Sequence, residues 1–242
     1  MRCLLSLLLA CGLLGGCASP AQDPSGIWIN RVAIEAALES GNLREALLAY
    51  GPNLEWQIDG QRHVARFSNG FEQAEGPLSQ QADGSLRVDF HGDYQEQLSL
   101  TADELLQAAS ARWPQQRFSR AEQGGNPAPG SSFEQALYRA YLGGTWVIRE
   151  GLGEGGLVLF HADGQLEGLP GAERYALCLA GDCAAMSGEA DSIWLQLGDQ
   201  GQSWLFERAG QQLRIFEALN RAQIDEMPDY RKGQQRWLLE QQ

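Results

Sequence analysis

From Thr145 to Glu217 short apolar-rich runs alternate with turn residues. Thr145–Glu150, Leu157–Ala162, Tyr175–Leu179, Ser192–Leu197, Ser203–Glu207 and Gln212–Glu217 each show period-two alternation or a cluster of β-branched and aromatic side chains. Asp163-Gly164, Pro170-Gly171, Gly198-Asp199 and Gly210 punctuate them with turn-forming residues. Short strands at this spacing predict an antiparallel meander that curls into a barrel. Trp146, Trp194, Trp204 and Phe206 are its expected core aromatics. Asp225 to Lys232 interrupts the pattern, and Pro228 argues against a long helix there.

The first half mixes two periods. Val32, Ile34 and Leu38, then Leu43, Leu47 and Leu48, fall on helical spacings broken near Ser40-Gly41-Asn42. Strands are expected at Leu54–Ile58, Arg62–Phe67, Leu86–Phe90 and Gln95–Leu100. Thr101-Ala-Asp-Glu104 has the form of a capping box. It predicts a helix with Leu105, Leu106, Ala109 and Trp113 on its apolar stripe, ended by Pro114. Ser132-Phe-Glu-Gln135 predicts another short helix, with Leu137 and Tyr141 four apart, stopped at Gly143-Gly144.

The two halves echo each other. Ser25-Gly26-Ile27-Trp28 is matched by Gly143-Gly144-Thr145-Trp146, and Gln115-Gln116-Arg117-Phe118 by Gln234-Gln235-Arg236-Trp237. The spacings agree within one residue, which implies tandem units at 26–119 and 132–242 rather than a solenoid. Residues 120–131, rich in Gly, Pro and polar side chains, read as the linker. The predicted class is mainly β with a few short helices (α+β), as two small antiparallel barrels in tandem. Gly-x-Trp on a first strand with an Arg near the end of the unit resembles the lipocalin or calycin pattern. That resemblance implies barrel-closing pairs Trp28 with Arg117 and Trp146 with Arg236, each guanidinium stacked on an indole. Unit two also resembles the small META-type envelope domains in its Gly-Thr-Trp opening, although their further motif residues are missing.

The N-terminus has a different character. Met1-Arg2 precedes an apolar run, Cys3 to Leu14, which ends in Leu14-Gly15-Gly16-Cys17. This is the form of a secretory signal peptide, too short to span a bilayer as a mature helix. Leu-Gly-Gly-Cys resembles the lipobox of bacterial lipoproteins. The resemblance implies removal of residues 1–16, lipidation of Cys17 and a tether over 17–25. With Ala18 following, it also implies sorting to the outer membrane of a Gram-negative cell, facing the periplasm. The expected membrane partner is therefore reached through acyl chains, which suffice where two or more are attached.

Charge narrows the partners. With 18 basic and 31 acidic residues the chain carries a net −13, which disfavours nucleic acid and an electrostatic hold on anionic lipid. Once the leader and Cys17 are set aside, Cys178 and Cys183 remain. In an oxidising compartment these two are expected to pair around the Gly181-Asp182 turn. Free or redox-active thiols are the alternative, and the spacing does not suit a metal.

No catalytic signature stands out. His63, His91 and His161 lack partners at metal-ligand spacing, and there is no Gly-x-Ser-x-Gly or His-Glu-x-x-His. Gly151–Gly156 lacks the Lys of a phosphate loop and reads as a hairpin connection. Asp59, Asp83, Asp89, Asp93, Asp163, Asp182, Asp191 and Asp199 sit mostly in turn contexts, without EF-hand spacing. No metal or cofactor is expected. The reading is non-catalytic binding of an envelope protein or a small apolar ligand. The alternatives are an enzyme inhibitor presenting the Cys178–Cys183 loop, or an enzyme of envelope glycans or lipids in which residues such as His91 and Asp199 converge.

Overall fold

The computed structural model describes residues 23–92, 94–122 and 127–242. The leader, Cys17 and Asp93 lie outside the described residues. Strand β1 (Gly26–Ile29) is followed by helices α1 (Arg31–Ser40) and α2 (Leu43–Ala49). Then come β2 (Glu55–Asp59), β3 (Val64–Ser68), β4 (Gln73–Gln80), β5 (Leu86–Asp89), β6 (Gln95–Leu100), β7 (Glu104–Gln107) and β8 (Gln116–Arg120). Each strand pairs antiparallel with the next, and β8 returns to β1, so the sheet closes as a barrel.

Helix α3 (Ser131–Tyr141) leads into a second sheet. Its strands are β9 (Gly144–Gly151), β10 (Leu157–Phe160), β11 (Leu166–Glu167), β12 (Arg174–Leu177), β13 (Asp191–Leu197), β14 (Gln200–Ala209), β15 (Gln212–Asn220) and β16 (Tyr230–Gln241). Helix α4 (Asp182–Ser187) lies between β12 and β13. Strand β16 pairs with β9, and the sheet is open only between β11 and β12. The Gln165–Arg174 bridge and the bond from Leu166 N–H to the Glu173 carbonyl stitch that gap. The molecule is thus two tandem eight-stranded antiparallel barrels, one closed and one nearly closed.

One expected element differs and one strand was not expected. Thr101–Trp113 is not a helix. Thr101 Oγ1 accepts the Glu104 N–H at 3.2 Å, and the Thr101 N–H donates to the Glu104 carbonyl at 2.9 Å. A tight turn results, and it feeds β7, whose Leu105 is fully buried. The local capping pattern is satisfied in a turn, while barrel closure supplies the ladder partners that a helix would forgo. Strand β4 carries no apolar run. Its Gly76 faces Asp89 so closely that a Cβ would overlap the Asp89 carbonyl oxygen, and Leu78 is its buried anchor.

The cores are unequal. The first barrel encloses Trp28, Trp56, Ile58, Ala65, Phe67, Val88, Leu98, Leu105 and Phe118. The second core joins the inward faces of β9–β16 to α3 and continues through α1 and α2. Tyr138 of α3 packs tilted against Tyr175 at a 4.9 Å ring separation, and Tyr141 meets Phe206 at 6.2 Å. Helices carried by the first segment therefore complete the second barrel. Trp194, an expected core residue, is 44% exposed. Ile193 and Leu195 point inward, so period two turns it outward.

Candidate functional site

The barrel ends show what the repeated Gly-x-Trp does. The Trp28 indole N–H donates to the Pro24 carbonyl at 2.9 Å, and that of Trp146 to the Leu142 carbonyl at 2.8 Å, four residues back in both cases. Each Trp is fully buried and lies beside the last strand of its own barrel, Trp28 opposite Arg120 and Trp146 opposite Gln241. The Arg120 guanidinium stands 4.1 Å from the Trp28 ring and donates to the Ser25 and Asp23 carbonyls at 2.6 and 2.8 Å. Gln241 donates to the Gly143 carbonyl, the counterpart of Ser25, at 2.9 Å.

The expected partners are therefore replaced. Arg117 faces outward and pairs with Glu104 at 2.6 Å, and Arg236 pairs with Glu217 at 2.8 Å. Alternation explains this: Gln116 and Phe118 point into the barrel, so Arg120 shares their face and Arg117 cannot. Trp237 and Leu239 likewise put Gln241, not Arg236, on the inner face.

Aromatic side chains occupy the interiors behind these ends. Trp28, Trp56 and Phe118 fill the first barrel and Trp146, Phe160 and Tyr141 the second, each almost completely buried. Among the described residues, open hollows lie on the outer surface. One is a 760 Å³ groove between α2 and α4 beside Leu48, Ala49, Ala184 and Ala185. Another is a 380 Å³ hollow beside Asp23, Gln57, Arg62 and Arg66.

The titratable groups are spent structurally. Asp191 of β13 accepts the Leu43 and Arg44 N–H groups at 2.8 and 2.7 Å, capping α2 from the other barrel. Burial pushes its carboxyl above the usual range against the pull of those two N–H groups. Glu55 of β2, also buried, accepts Gly130 N–H at 3.0 Å and Phe133 N–H at 2.9 Å at the start of α3. Ser132, expected to cap that helix, has a buried hydroxyl without a protein partner. Burial and the nearby Glu55 raise Glu134. Burial likewise raises the Tyr138, Tyr141 and Tyr175 hydroxyls.

His161 Nε2 lies 2.9 Å from Glu167. His91 and Asp199 sit in turns of different barrels, with no hydrogen bond or ion pair joining them. Among the described residues no group of three or more His, Cys, Asp or Glu side chains could hold a metal ion.

Cys178 and Cys183 form a disulfide with Cα atoms 5.8 Å apart. Its loop does not project. A Cβ at Gly181 would overlap the Phe71 ring, and one at Gly70 would meet Leu179 at 2.7 Å, so the loop lies against the β3–β4 turn of the first barrel.

The element that does project is the β15–β16 hairpin. Beyond the last β14–β15 rung, Trp204 with Glu217, residues Ala218–Asn220 pair only with Tyr230–Lys232. Asn220 Oδ1 accepts the N–H groups of Ala222 and Asp229 at 3.0 and 3.1 Å, and Arg221 N–H donates to the Asp229 carbonyl at 2.8 Å. The loop carries Ile224 at 100% and Met227 at 58% exposure. Sequence reading marked Asp225 to Lys232 as an interruption and Tyr230-Arg231-Lys232-Gly233 as a small basic spot, best read as an exposed loop. The isolated Ile and Met between Asp and Glu were the available signal. No protein-family model matches the chain, and neither does any curated protein or solved structure.

Proposed function

We propose that this chain is a lipoprotein held at the outer membrane through Cys17, and that it binds a protein of the envelope without catalysis. The observation that carries the reading is the filling of both barrels by their own aromatic side chains, while the exposed apolar side chains are displayed outside. An eight-stranded barrel is wide enough either for its own side chains or for one small ligand, and here buried aromatic side chains take the interior. The Leu14-Gly15-Gly16-Cys17 sequence supports the anchor, and acyl chains would keep an acidic protein at a surface it has no electrostatic means to hold. Cys17→Ser should move the protein from the membrane to the soluble periplasmic fraction. Persistent sedimentation with membranes would remove the anchor. Native mass spectrometry of the mature protein, paired with short-range crosslinking in intact cells, tests the binding half. A discrete protein adduct on an otherwise ligand-free mass is expected. Stoichiometric bound lipid with no protein adduct would transfer the function to a small apolar ligand.

A further inference from the structure

We propose that the β15–β16 connection, Arg221–Asp229, is the part of the molecule that enters the partner, as an acidic plug with an apolar tip for a cleft with an apolar floor and a basic rim. The proposal rests on the protein-binding reading and deepens it.

Projection comes first. In backbone pairing the outer rungs Ala218–Lys232, Leu219–Arg231 and Asn220–Tyr230 belong to this hairpin alone, with the side chain of Lys232 tying its root to Glu207 of β14. A two-stranded finger is narrow and convex, so the surface it complements is concave, and concave apolar sites are characteristic of enzyme and ligand clefts.

Order is the second observation. Besides the Asn220 bonds, Glu226 N–H donates to the Gln223 carbonyl and Gln223 N–H to the Glu226 carboxylate, both at 3.1 Å. Pro228 fixes one backbone torsion within the same loop. A loop ordered before contact loses less conformational freedom on binding.

Third is the tip itself. Ile224 gains nothing from its own fold, since all of its surface faces water. Large aliphatic side chains held on a stiff support act as anchors when a pocket receives them.

The final observation is charge. Asp225, Glu226 and Asp229 stand against Arg221 within the loop, while at its root Arg231 pairs at 3.0 Å with Asp229 and Lys232 pairs with Glu207 of β14. The tip is thus acidic on an acidic chain, which steers it toward a basic rim and away from anionic lipid.

The test places a photo-crosslinking amino acid at 224 in the full chain, in the cells that make it. Leu152, in the β9–β10 connection, and Leu197, at the end of β13, serve as control positions, being 69% and 51% exposed on the same barrel. We expect a discrete protein adduct from 224 but not from 152 or 197, joined to a peptide in a Lys- and Arg-lined cleft. A further expectation is an adduct reduced about tenfold by Asp225→Lys with Glu226→Lys, as loss of complementary charge and steering implies. Ile224→Asp should leave the melting temperature unchanged, which separates a binding role from a folding one. A protein adduct from 152 or 197 with none from 224 would overturn the plug and leave the protein-binding reading standing. No protein adduct from any position would remove both. A lipid adduct from 224, with binding of the purified chain to phosphatidylglycerol vesicles, would assign the tip to the membrane instead.

Discussion

The two barrels follow the same path of eight strands and begin with the same buried indole, yet they are closed by different means. The first seals itself: β8 returns to β1, and its aromatic core needs no helix. The second leaves β11 and β12 apart and takes its remaining cover from α3, behind which lie α1 and α2. The helices inserted after β1 are thus less a decoration of the first barrel than a part of the second. The carboxylates tell the same story, since Glu55 of the first barrel caps α3 and Asp191 of the second caps α2. A duplicated strand plan has become one interdependent body through what was inserted and how its ends were satisfied.

Separating the halves should have the largest effect. Residues 132–242 alone would expose the faces of Phe133, Leu137 and Tyr141 that α1 and its neighbours cover, and would lose the Glu55 cap. Far-UV and near-UV circular dichroism should show strand signal without a cooperative melt, whereas the full mature chain should unfold cooperatively. A sharp, reversible transition for the fragment would make the second barrel self-sufficient. Next in size are Trp28→Ala and Trp146→Ala. Each removes a fully buried indole and its hydrogen bond, at a cost of about 3–5 kcal/mol by denaturant unfolding. Equal losses would mean the two ends are equivalent structurally as well as in pattern.

Much of this plan was legible. Six of the eight strands of the second barrel, all but β11 and β16, the helical insertion after the first strand and the pairing of Cys178 with Cys183 follow from periodicity, turn residues and spacing. Strand β4 was hidden because Gln73–Gln80 offers a Gly and a Pro where an apolar run would be read. Thr101–Glu104 misled because one side-chain-to-backbone pattern serves both a helix start and a turn, and only the ladder to β6 and β8 decides between them. The substitution of Arg120 for Arg117 was available from period two, given the inward Phe118. The capping by Glu55 and Asp191 was not, because each partner lies more than seventy residues away and no local pattern marks it.

Those two carboxylates offer a finer test. Glu55→Gln and Asp191→Asn each turn one acceptor into a donor facing a helix N–H, at about 1–3 kcal/mol. Asp191 adds a pH signature. Its carboxyl is raised in the folded protein from an ordinary value of 3.8, so folding takes up a proton between that value and the raised one. Stability from this group is therefore greatest below the ordinary value and declines as pH rises through the raised one. Relative to Asp191→Asn, the parent protein should gain stability as the pH of a urea titration is lowered from neutrality. A constant difference between the two would place Asp191 at an ordinary acidity.

The smallest effect probes the one chemical difference between the barrel ends. Arg120→Gln gives the first barrel the closure of the second: the amide can still reach the Ser25 carbonyl, as Gln241 reaches that of Gly143. What it loses is the cation over Trp28 and the bond to the Asp23 carbonyl. The guanidinium is largely exposed and each such contact contributes little on its own, so a loss of about 1 kcal/mol is expected. The Asp23 bond ties residues just before β1 to the barrel, and Cys17 lies only six positions further toward the N-terminus. Arg120→Gln should accordingly speed proteolysis near Asp23 more than it lowers the melting temperature. Unchanged cleavage would mean that the cation serves the indole alone.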